Sequence, residues 1–287
     1  MYLARENGYY ADENLEVEFV IGGMDESGEF IDPTARVVSG QADFGINDSM
    51  VLLQARTEGH PVVTVASIYQ RHPLAMTSLG EKNITRLQDL VGKTVHISYS
   101  SEIIYQAMLS IQGIDPAQIN QVERTDFTSA PLLTGEADVI DGWITYDVIY
   151  LTLQGREVNF IMASDCGLDV YSDVIFTSED IIANKPELVE RFVRATIRGM
   201  QDAVDDPEKA AEVTLMYNDE FGPEFELAVA QRAVQLLNLV DSPPGMMDPT
   251  VWETTHQILL DQGMLSAPID IESAYTLDFL KKVYPDQ

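Results

Sequence analysis

Residues 39–50 read SGQADFGINDSM, and residues 134–145 read TGEADVIDGWIT. Both segments contain a small hydroxyl residue, Gly, a polar residue, Ala and Asp, followed by an apolar residue and a short polar patch. The same order of structural signals continues on both sides of each copy. This repeat therefore indicates how the chain is divided into structural units.

Each copy predicts a strand–helix–strand unit that follows a short helix. The short helices, 32–40 and 128–135, have a Pro in the first turn and end at a Gly, which suits those positions. The predicted units comprise 42–46, 50–58 and 62–67 in the first copy, and 137–140, 145–154 and 158–164 in the second. We predict two parallel sheets, one per lobe, with both polar loops facing one cleft. Chance convergence of two generic units on Gly-x-Ala-Asp is the alternative.

The rest of the chain fits an α/β fold with a helical C-terminal tail. Residues 2–10 predict a short helix ending at Gly8, residues 15–23 an alternating strand, and residues 92–113 a strand, a polar loop and a helix. We expect a leader and a first strand to precede the opening helix, because it lacks an N-cap. Helices are predicted over 184–204, 207–217, 223–239, 249–262 and 271–283, packing back on the first lobe.

The charge balance is strongly acidic and limits the partners of the chain. Among 287 residues, 17 are basic and 47 acidic, which gives a net charge of −30. Such a field repels nucleic acid and anionic membranes, so we predict neither as a partner. The lone Cys166 excludes an intrachain disulfide and a thiolate metal cluster.

Signatures of catalysis are missing from the sequence. Residues 22–28 lack the Lys and the spacing of a phosphate-binding loop, and the four His residues show no metal-ligand spacing. No Gly-x-Ser-x-Gly elbow or Cys/His arrangement for a nucleophile is present. We therefore predict no catalytic residues, no metal and no cofactor.

Five segments resemble a known family of transport proteins. They are LARENGYYADENLEVEFVIGG (3–23), ARVVSGQADFGI (35–46), QDLVGKTVHIS (88–98), LLTGEADVIDGW (132–143) and FTSEDIIANKPELVERFVRATIRGMQDAVDDPEKAAE (176–212). They resemble the solute-binding proteins of ABC importers. The resemblance is closest to the family shared by thiamine-pyrimidine-precursor binders and alkanesulfonate or taurine binders.

The resemblance implies a type II periplasmic binding fold with two α/β lobes that close on a ligand. Lobe one would comprise 1–74 and 175–287 and lobe two 75–174, with crossover strands near 68–78 and 169–178. It also implies a monomer in the periplasm or outside the cell, with a lipoprotein anchor as one option, that delivers its ligand to a membrane permease. Fungal relatives synthesise the thiamine pyrimidine and carry a Cys-rich stretch that this chain lacks. We therefore predict a binding protein; that enzyme and a periplasmic sensor module are the alternatives.

The loops expected at the cleft combine aromatic rings with neutral and acidic groups. Such loops suit a flat, nitrogen-rich, uncharged or cationic heterocycle. The predicted ligand-binding residues are Asn47, Asp48, Ser49, Tyr69, Gln70, Tyr99, Ser100, Ser101, Glu102, Trp143, Tyr146, Asp165 and Tyr171, with Ile144 and Thr145 in the same loop.

Several alternatives remain for individual residues and for the ligand. Tyr69 and Tyr171 suit the core or the hinge equally well, and residues 100–102 suit helix capping as well as a ligand contact. We rank a thiamine pyrimidine precursor and a flavin such as riboflavin equally, followed by other aromatic heterocycles. Sulfonates come last, because Arg71 is the only base expected near these loops. Trp143 is expected to stack on the ligand while Asn47 or Asp48 bonds its rim.

Overall fold

The computed structural model describes residues 1–20, 22–24, 30–125, 127–237 and 242–285. The α-helices are α1 Tyr2–Glu6, α2 Tyr9–Asp12, α3 Pro33–Val38, α4 Ser49–Thr57, α5 Glu102–Ile111, α6 Ala130–Thr134, α7 Asp147–Leu153, α8 Glu179–Asn184, α9 Pro186–Asp205, α10 Pro207–Leu215, α11 Pro223–Leu237, α12 Pro249–Asp261 and α13 Asp278–Val283. The strands are β1 Gly23–Met24, β2 Phe30–Ile31, β3 Gly45–Asn47, β4 Val62–Tyr69, β5 Leu74–Leu79, β6 Thr94–Ile97, β7 Asn120–Glu123, β8 Val139–Trp143, β9 Val158–Met162 and β10 Ser172–Ser178.

The first copy of the repeat forms the outer strands of a three-stranded sheet, which we call the first sheet. Its order is β3-β10-β4, and β10 is antiparallel to both neighbours. The β3–α4–β4 unit therefore exists as predicted, but its two strands do not pair with each other. A strand that arrives more than 100 residues later, as the printed bounds show, lies between them.

The second copy has the same arrangement inside a five-stranded sheet, the second sheet, of order β7-β6-β8-β5-β9. Here β5 lies antiparallel between β8 and β9, whereas β6 is parallel to both β7 and β8. The α/β fold is confirmed, and the prediction of mainly parallel sheets is wrong. In each sheet, a strand from another part of the chain lies antiparallel between the two strands of the repeat. The first sheet is therefore antiparallel throughout, and the second sheet is mixed. The lobe boundaries and crossover ranges themselves stay a prediction.

Local signals at the helix ends behave as predicted. Gly40 and Gly135 follow α3 and α6 with φ of +73° and +77°, values that favour glycine. At the other end of α3, Asp32 accepts a hydrogen bond from the backbone N–H of Thr34, so the helix that leads into the first repeat is capped at both ends.

The strand predicted over residues 15–23 is wrong in its hydrogen bonding. Residues 15–20 form no ladder within the described part of the chain, residue 21 lies outside it, and only Gly23 belongs to a strand. The alternation itself is present: Leu15, Val17 and Phe19 pack against the core, and the intervening residues are exposed. The alternation of apolar residues therefore predicted correctly which side chains pack against the core. It did not predict whether another strand lies beside this segment.

The helical tail packs mostly, but not wholly, on the first sheet and its helices. Helix α9 packs against α1, α2 and α13, and α12 packs against α4. Helix α11 instead contacts both β4 and α7, so it also covers part of the second sheet. The predicted helix over 271–283 is reduced to a 3₁₀ turn and α13, and residues 238–239 lie outside the described part. Across the described ranges, none of the helices combines the length and the apolarity needed to cross a membrane.

Candidate functional site

A cavity of about 320 Å³ opens beyond the carboxyl ends of β6 and β8. This is the edge at which open α/β sheets bind ligands. It is lined by Ser98, Ser100, Ser101, Arg124, Phe127, Asp141, Trp143, Tyr146 and Asp147. Four of these residues, Ser100, Ser101, Trp143 and Tyr146, belong to the predicted set.

A buried arginine forms the base of this cavity. The Arg124 guanidinium donates through Nη1 to the carboxylate Oδ1 of Asp141 at 3.0 Å and to the carbonyl of the same residue. Through Nη2 it donates to Oδ1 of Asp147 at 3.2 Å and to the carbonyl of Thr128 at 3.0 Å. All three charged side chains are at most 4% exposed. Arg124 therefore fixes the positions of two carboxyl groups, one in β8 and one at the start of α7.

Further hydrogen bonds complete this network. Asp141 accepts from the backbone N–H of Ser98 at 2.9 Å and from its hydroxyl, while Asp147 accepts from the hydroxyl of Ser129 at 2.9 Å and from the N–H of Trp143 at 3.0 Å. Burial raises the pKa of the Asp147 carboxyl, and the charge of Arg124 opposes that rise. The network thus ties the β6 loop to the loop that carries Trp143.

Arg124 is the base at this site, whereas the sequence pattern predicted only Arg71 near these loops. Arg71 is exposed, whereas Arg124 directly follows β7, and its N–H bonds to the carbonyl of Ile97 at the end of β6. A signal existed in the sequence, because a short strand next to β6 would end at the same edge of the sheet. Residues 120–123 are all exposed and contain a single apolar residue, Val122, so their pattern did not indicate a strand.

Aromatic rings form the walls of the cavity. Trp143 and Tyr146 are half-buried, and Phe127 is 65% exposed at the opening. Tyr99 is 90% exposed and precedes Ser100, but it does not line the cavity. Ile144 and Thr145 are buried behind the aromatic loop. The rings thus leave apolar faces accessible beside a polar base.

A second polar cluster lies where the chain crosses between the sheets. The buried His72 accepts from the N–H of Leu74 at Nδ1, so its Nε2 carries the proton and donates to Oδ2 of Asp48 at 2.9 Å. The ring of Trp143 meets the same imidazole edge-on, with centroids 6.0 Å apart. His72 therefore joins Asp48 of the first repeat to Trp143 of the second.

Asp173 belongs to the same cluster, and no local sequence pattern predicts it there. It has a left-handed backbone with φ of +51°, a conformation that Asp tolerates better than most residues. Burial and then the charge of Asp48 raise the pKa of the Asp173 carboxyl to about 6, against an opposing effect of His72. Its burial and its neighbours depend on contacts between β10 and residues far away in sequence.

Several predicted site residues form structural contacts. Asn47 donates to Thr34 at 3.0 Å and accepts from the N–H of Asp48, which in turn caps α4. The fully buried Ser49 donates to the carbonyl of Tyr171, and the Tyr171 hydroxyl accepts from the N–H of Asp248 at 2.6 Å. The bond between Tyr171 and Asp248 connects the residue before β10 to the tail.

Two further predicted residues also face the tail or the core. The Gln70 amide donates to the carbonyl of Pro243 at 2.9 Å. Burial, followed by the charge of Asp173, raises the pKa of Tyr69. The alternative interpretation of Tyr69 and Tyr171 as core or hinge residues agrees with this packing.

The residues at the start of α5 do not cap it. Neither Ser101 nor its neighbours make a side-chain cap bond there; instead Ser98 bonds to the hydroxyls of Ser100 and Ser101. Glu102 accepts from Gln106 and Gln121, away from the cavity lining. Asp165 is exposed and accepts from the N–H of Met162. The capping interpretation is therefore wrong, and a ligand-binding role for these residues stays a prediction.

Comparison with known proteins places the chain among binding proteins and their relatives. Residues 1–210 match the family described as NMT1/THI5 like. The riboflavin-binding protein RibY of Chloroflexus aurantiacus is 30% identical over 97% of this chain and 81% of its own length. The formylaminopyrimidine-binding protein of Halalkalibacterium halodurans is 26% identical over 96% of this chain and 84% of its own length.

An enzyme is similar to this chain in sequence, and a sulfonate-binding protein is similar to it in fold. The 4-amino-5-hydroxymethyl-2-methylpyrimidine phosphate synthase of Legionella pneumophila is 26% identical, over 74% of this chain and 66% of the synthase. The periplasmic aliphatic sulphonate binding protein SsuA from Escherichia coli superposes with a TM-score of 0.72 at 16% identity, covering 95% of this chain and 87% of SsuA. The chain thus has the type II periplasmic binding fold.

Proposed function

Because this chain belongs to the NMT1/THI5-like family, we propose that it binds a small aromatic nitrogen heterocycle between its lobes and releases it unchanged to an ABC-importer permease. The observation that carries the proposal is the cavity beyond β6 and β8. Its walls are Trp143, Tyr146 and Phe127, and its base contains two carboxyl groups. Ring faces and hydrogen-bond acceptors are what a flat ligand with N–H groups at its rim requires.

The charges around the cavity disfavour an anionic ligand. One guanidinium, that of Arg124, is shared by the carboxyl groups of Asp141 and Asp147. Across the crossover, Asp48 and Asp173 add two more carboxyl groups beside His72. A sulfonate would have to compete with these carboxylates for the arginine, and breaking such buried pairs is costly. A neutral or cationic heterocycle meets no such cost.

Two ligands deserve the first tests. RibY is named for riboflavin and the Halalkalibacterium protein for formylaminopyrimidine, a heterocycle of the thiamine-precursor class that the sequence predicts. Both molecules combine a planar ring with polar nitrogen and oxygen atoms. Such a protein works in the periplasm or outside the cell, where a vitamin or its precursor is captured for uptake.

The competing candidate is a pyrimidine-synthesising enzyme, which the relationship to the Legionella synthase favours. The resemblance implies a Cys-rich stretch in the fungal enzymes, whereas Cys166 is the only cysteine here. Burial raises the pKa of its thiol to about 11, so it is a poor nucleophile. Recovery of a chemically altered ligand after incubation with the pure protein would support the enzyme instead.

The decisive experiment replaces Trp143 and titrates the protein with riboflavin, formylaminopyrimidine and an alkanesulfonate. Stacking contributes about 0.5–1.5 kcal/mol beyond the buried area. With the lost area included, Trp143→Ala should weaken binding of the preferred heterocycle about tenfold or more, whereas Trp143→Phe should keep much of the affinity. Isothermal titration calorimetry measures both values.

A second substitution tests the proposed hydrogen bond between Asp48 and the rim of the ligand. Asp48→Asn should lose affinity selectively for ligands that donate N–H groups, because the amide keeps the size of the carboxylate but not its charge. Unchanged affinity in Trp143→Ala would mean that the indole belongs only to the core. Tight sulfonate binding with no heterocycle binding would contradict the proposal.

A further inference from the structure

We propose that Phe221 and Phe225, which do not line the cavity, are positioning residues that hold the Tyr146 ring in the ligand site. The inference rests on the proposed function, since it concerns affinity at the same site. It assigns a part of ligand recognition to the C-terminal tail. That part of the chain lies some 75 residues beyond Tyr146, as the numbering shows.

The contacts around Tyr146 carry this inference. Its ring meets Phe221 and Phe225 edge-on, with centroids 5.4 and 5.7 Å apart and interplanar angles of 83° and 77°. The two phenylalanine rings touch each other at 4.7 Å. Edge-to-face geometry at these distances is favourable for aromatic pairs. Tyr146 thus has one side in the cavity and another against the two rings.

Phe225 lies in α11, which packs along the second sheet, and Phe221 lies two residues before the start of this helix. Positions i, i+7 and i+11 share one face of a helix, and on α11 these are Phe225, Arg232 and Leu236. Arg232 lies over the ring of Phe160 at 5.9 Å, and Leu236 belongs to an apolar cluster with Ile144 and Val148. One face of α11 therefore lies along the second sheet.

The far end of α11 is tied to the chain crossover. The carbonyl of Leu236 accepts from the backbone N–H of Gln70 at 2.9 Å, in the segment that joins β4 to β5. The helix is thus fixed at one end by the crossover and at the other by the Tyr146 contact. A shift of α11 relative to the second sheet would move the Tyr146 ring, so binding and the tail position are coupled.

The test compares Phe221→Leu and Phe225→Leu with Phe279→Leu, using riboflavin and formylaminopyrimidine as probes. Leucine keeps an apolar side chain but removes the ring contact. Phe279 is 5% exposed, like Phe225 at 6%, but it lies in α13, which packs against α9. We expect about two- to tenfold weaker binding for the first two variants and unchanged binding for the third.

A Tyr146→Leu background separates positioning from general destabilisation. There, Phe225→Leu should have no further effect on affinity, whereas a merely structural role would still lower it. Full affinity in the double variant Phe221→Leu, Phe225→Leu would overturn the inference. If the wild-type protein binds neither probe, the proposed function fails for these ligands, but the inference can still be judged by the next measurement.

Fluorine NMR of protein labelled with 3-fluorotyrosine provides this independent readout. The resonance of residue 146 is assigned by its loss in Tyr146→Phe. It should shift or broaden in Phe221→Leu and Phe225→Leu without any ligand, and stay unchanged in Phe279→Leu. An unchanged resonance in the first two variants would overturn the inference whether or not a ligand is found.

Discussion

The two copies of the repeat have the same path but different chemistry. The repeated Asp that precedes the strand pairs with a lysine in both: Asp43 with Lys185 at 3.4 Å and Asp138 with Lys82 at 2.7 Å. At the position after the apolar strand, however, the first copy has Asp48 and the second has Trp143. Both of these side chains meet His72, one by a hydrogen bond and the other by a ring edge.

The difference teaches that the repeat builds the frame and that residues outside it complete the two polar clusters. His72 comes from the crossover, and Arg124 comes from the edge of the second sheet. The first copy places its strand-end carboxylate beside a histidine, near the hinge. The second buries Asp141 and Asp147 on an arginine and turns an indole towards the cavity. The two copies thus share a fold unit but carry different side chains at equivalent positions.

The largest effect on stability is expected from a substitution that breaks the arginine network at the second copy. Arg124→Met leaves two buried carboxyl groups without their cation, so it should reduce the free energy of unfolding by about 3–5 kcal/mol at pH 7. Urea denaturation measures this change. Arg86→Met is the control, because Arg86 is 74% exposed and its pair with Asp89 should contribute at most about 1 kcal/mol. Equal losses in both variants would contradict the assigned role of the network.

A smaller effect concerns Asp173, on the first-copy side of the hinge. Its carboxyl has a pKa near 6 in the folded protein against 3.8 for an ordinary Asp. Between these values the folded protein holds a proton that the unfolded chain has lost, so stability falls as pH rises through this window. The difference between the two pKa values corresponds to a change of at most about 3 kcal/mol in the free energy of unfolding. Water around the half-buried carboxyl group reduces this change to the order of 1–2 kcal/mol.

Asp173→Asn removes the loss of stability that accompanies ionisation of this carboxyl group. Asn also tolerates the left-handed backbone. The variant should be more stable than the wild type above pH 6 and equal to it below pH 4, as measured by thermal unfolding at a series of pH values. Asp219→Asn, at an exposed position, should follow the wild-type profile throughout. A parallel shift of the Asp173→Asn profile at every pH would show that its carboxyl does not titrate in this window.

The smallest effect compares the two repeated aspartates directly. Asp138 accepts from Lys82 and then from the N–H of Thr94, and these bonds lower the pKa of its carboxyl. Its stabilising effect is therefore present at neutral pH and lost as the carboxyl is protonated in acid. Asp138→Asn should cost about 1 kcal/mol at pH 7. Asp43→Asn, in a pair whose side chains are both 57% exposed, should cost less than about 0.5 kcal/mol. Similar costs would mean that the two copies are equivalent here as well.

The sequence predicted the features that local chemistry controls. Gly40 and Gly135 end their helices, and both strand–helix–strand units lie at the expected positions. It did not predict strand direction, because the neighbours of β3 and β8 come from distant parts of the chain. For the same reason Gln70 and Tyr171 were assigned to the cleft, although they bond to the tail. Arg124 was missed because its partners Asp141 and Asp147 meet it only through tertiary packing.

The inserted middle strands also determine the order in which the chain can fold during synthesis. The second sheet has all its strands once Met162 is made, because β5 precedes the repeat that it joins. The first sheet must wait for β10, although β3 and β4 leave the ribosome much earlier. Until then those two strands lack their shared neighbour and present unpaired edges, which favour aggregation. We therefore expect the second sheet to be complete first during synthesis and the first sheet to be complete last.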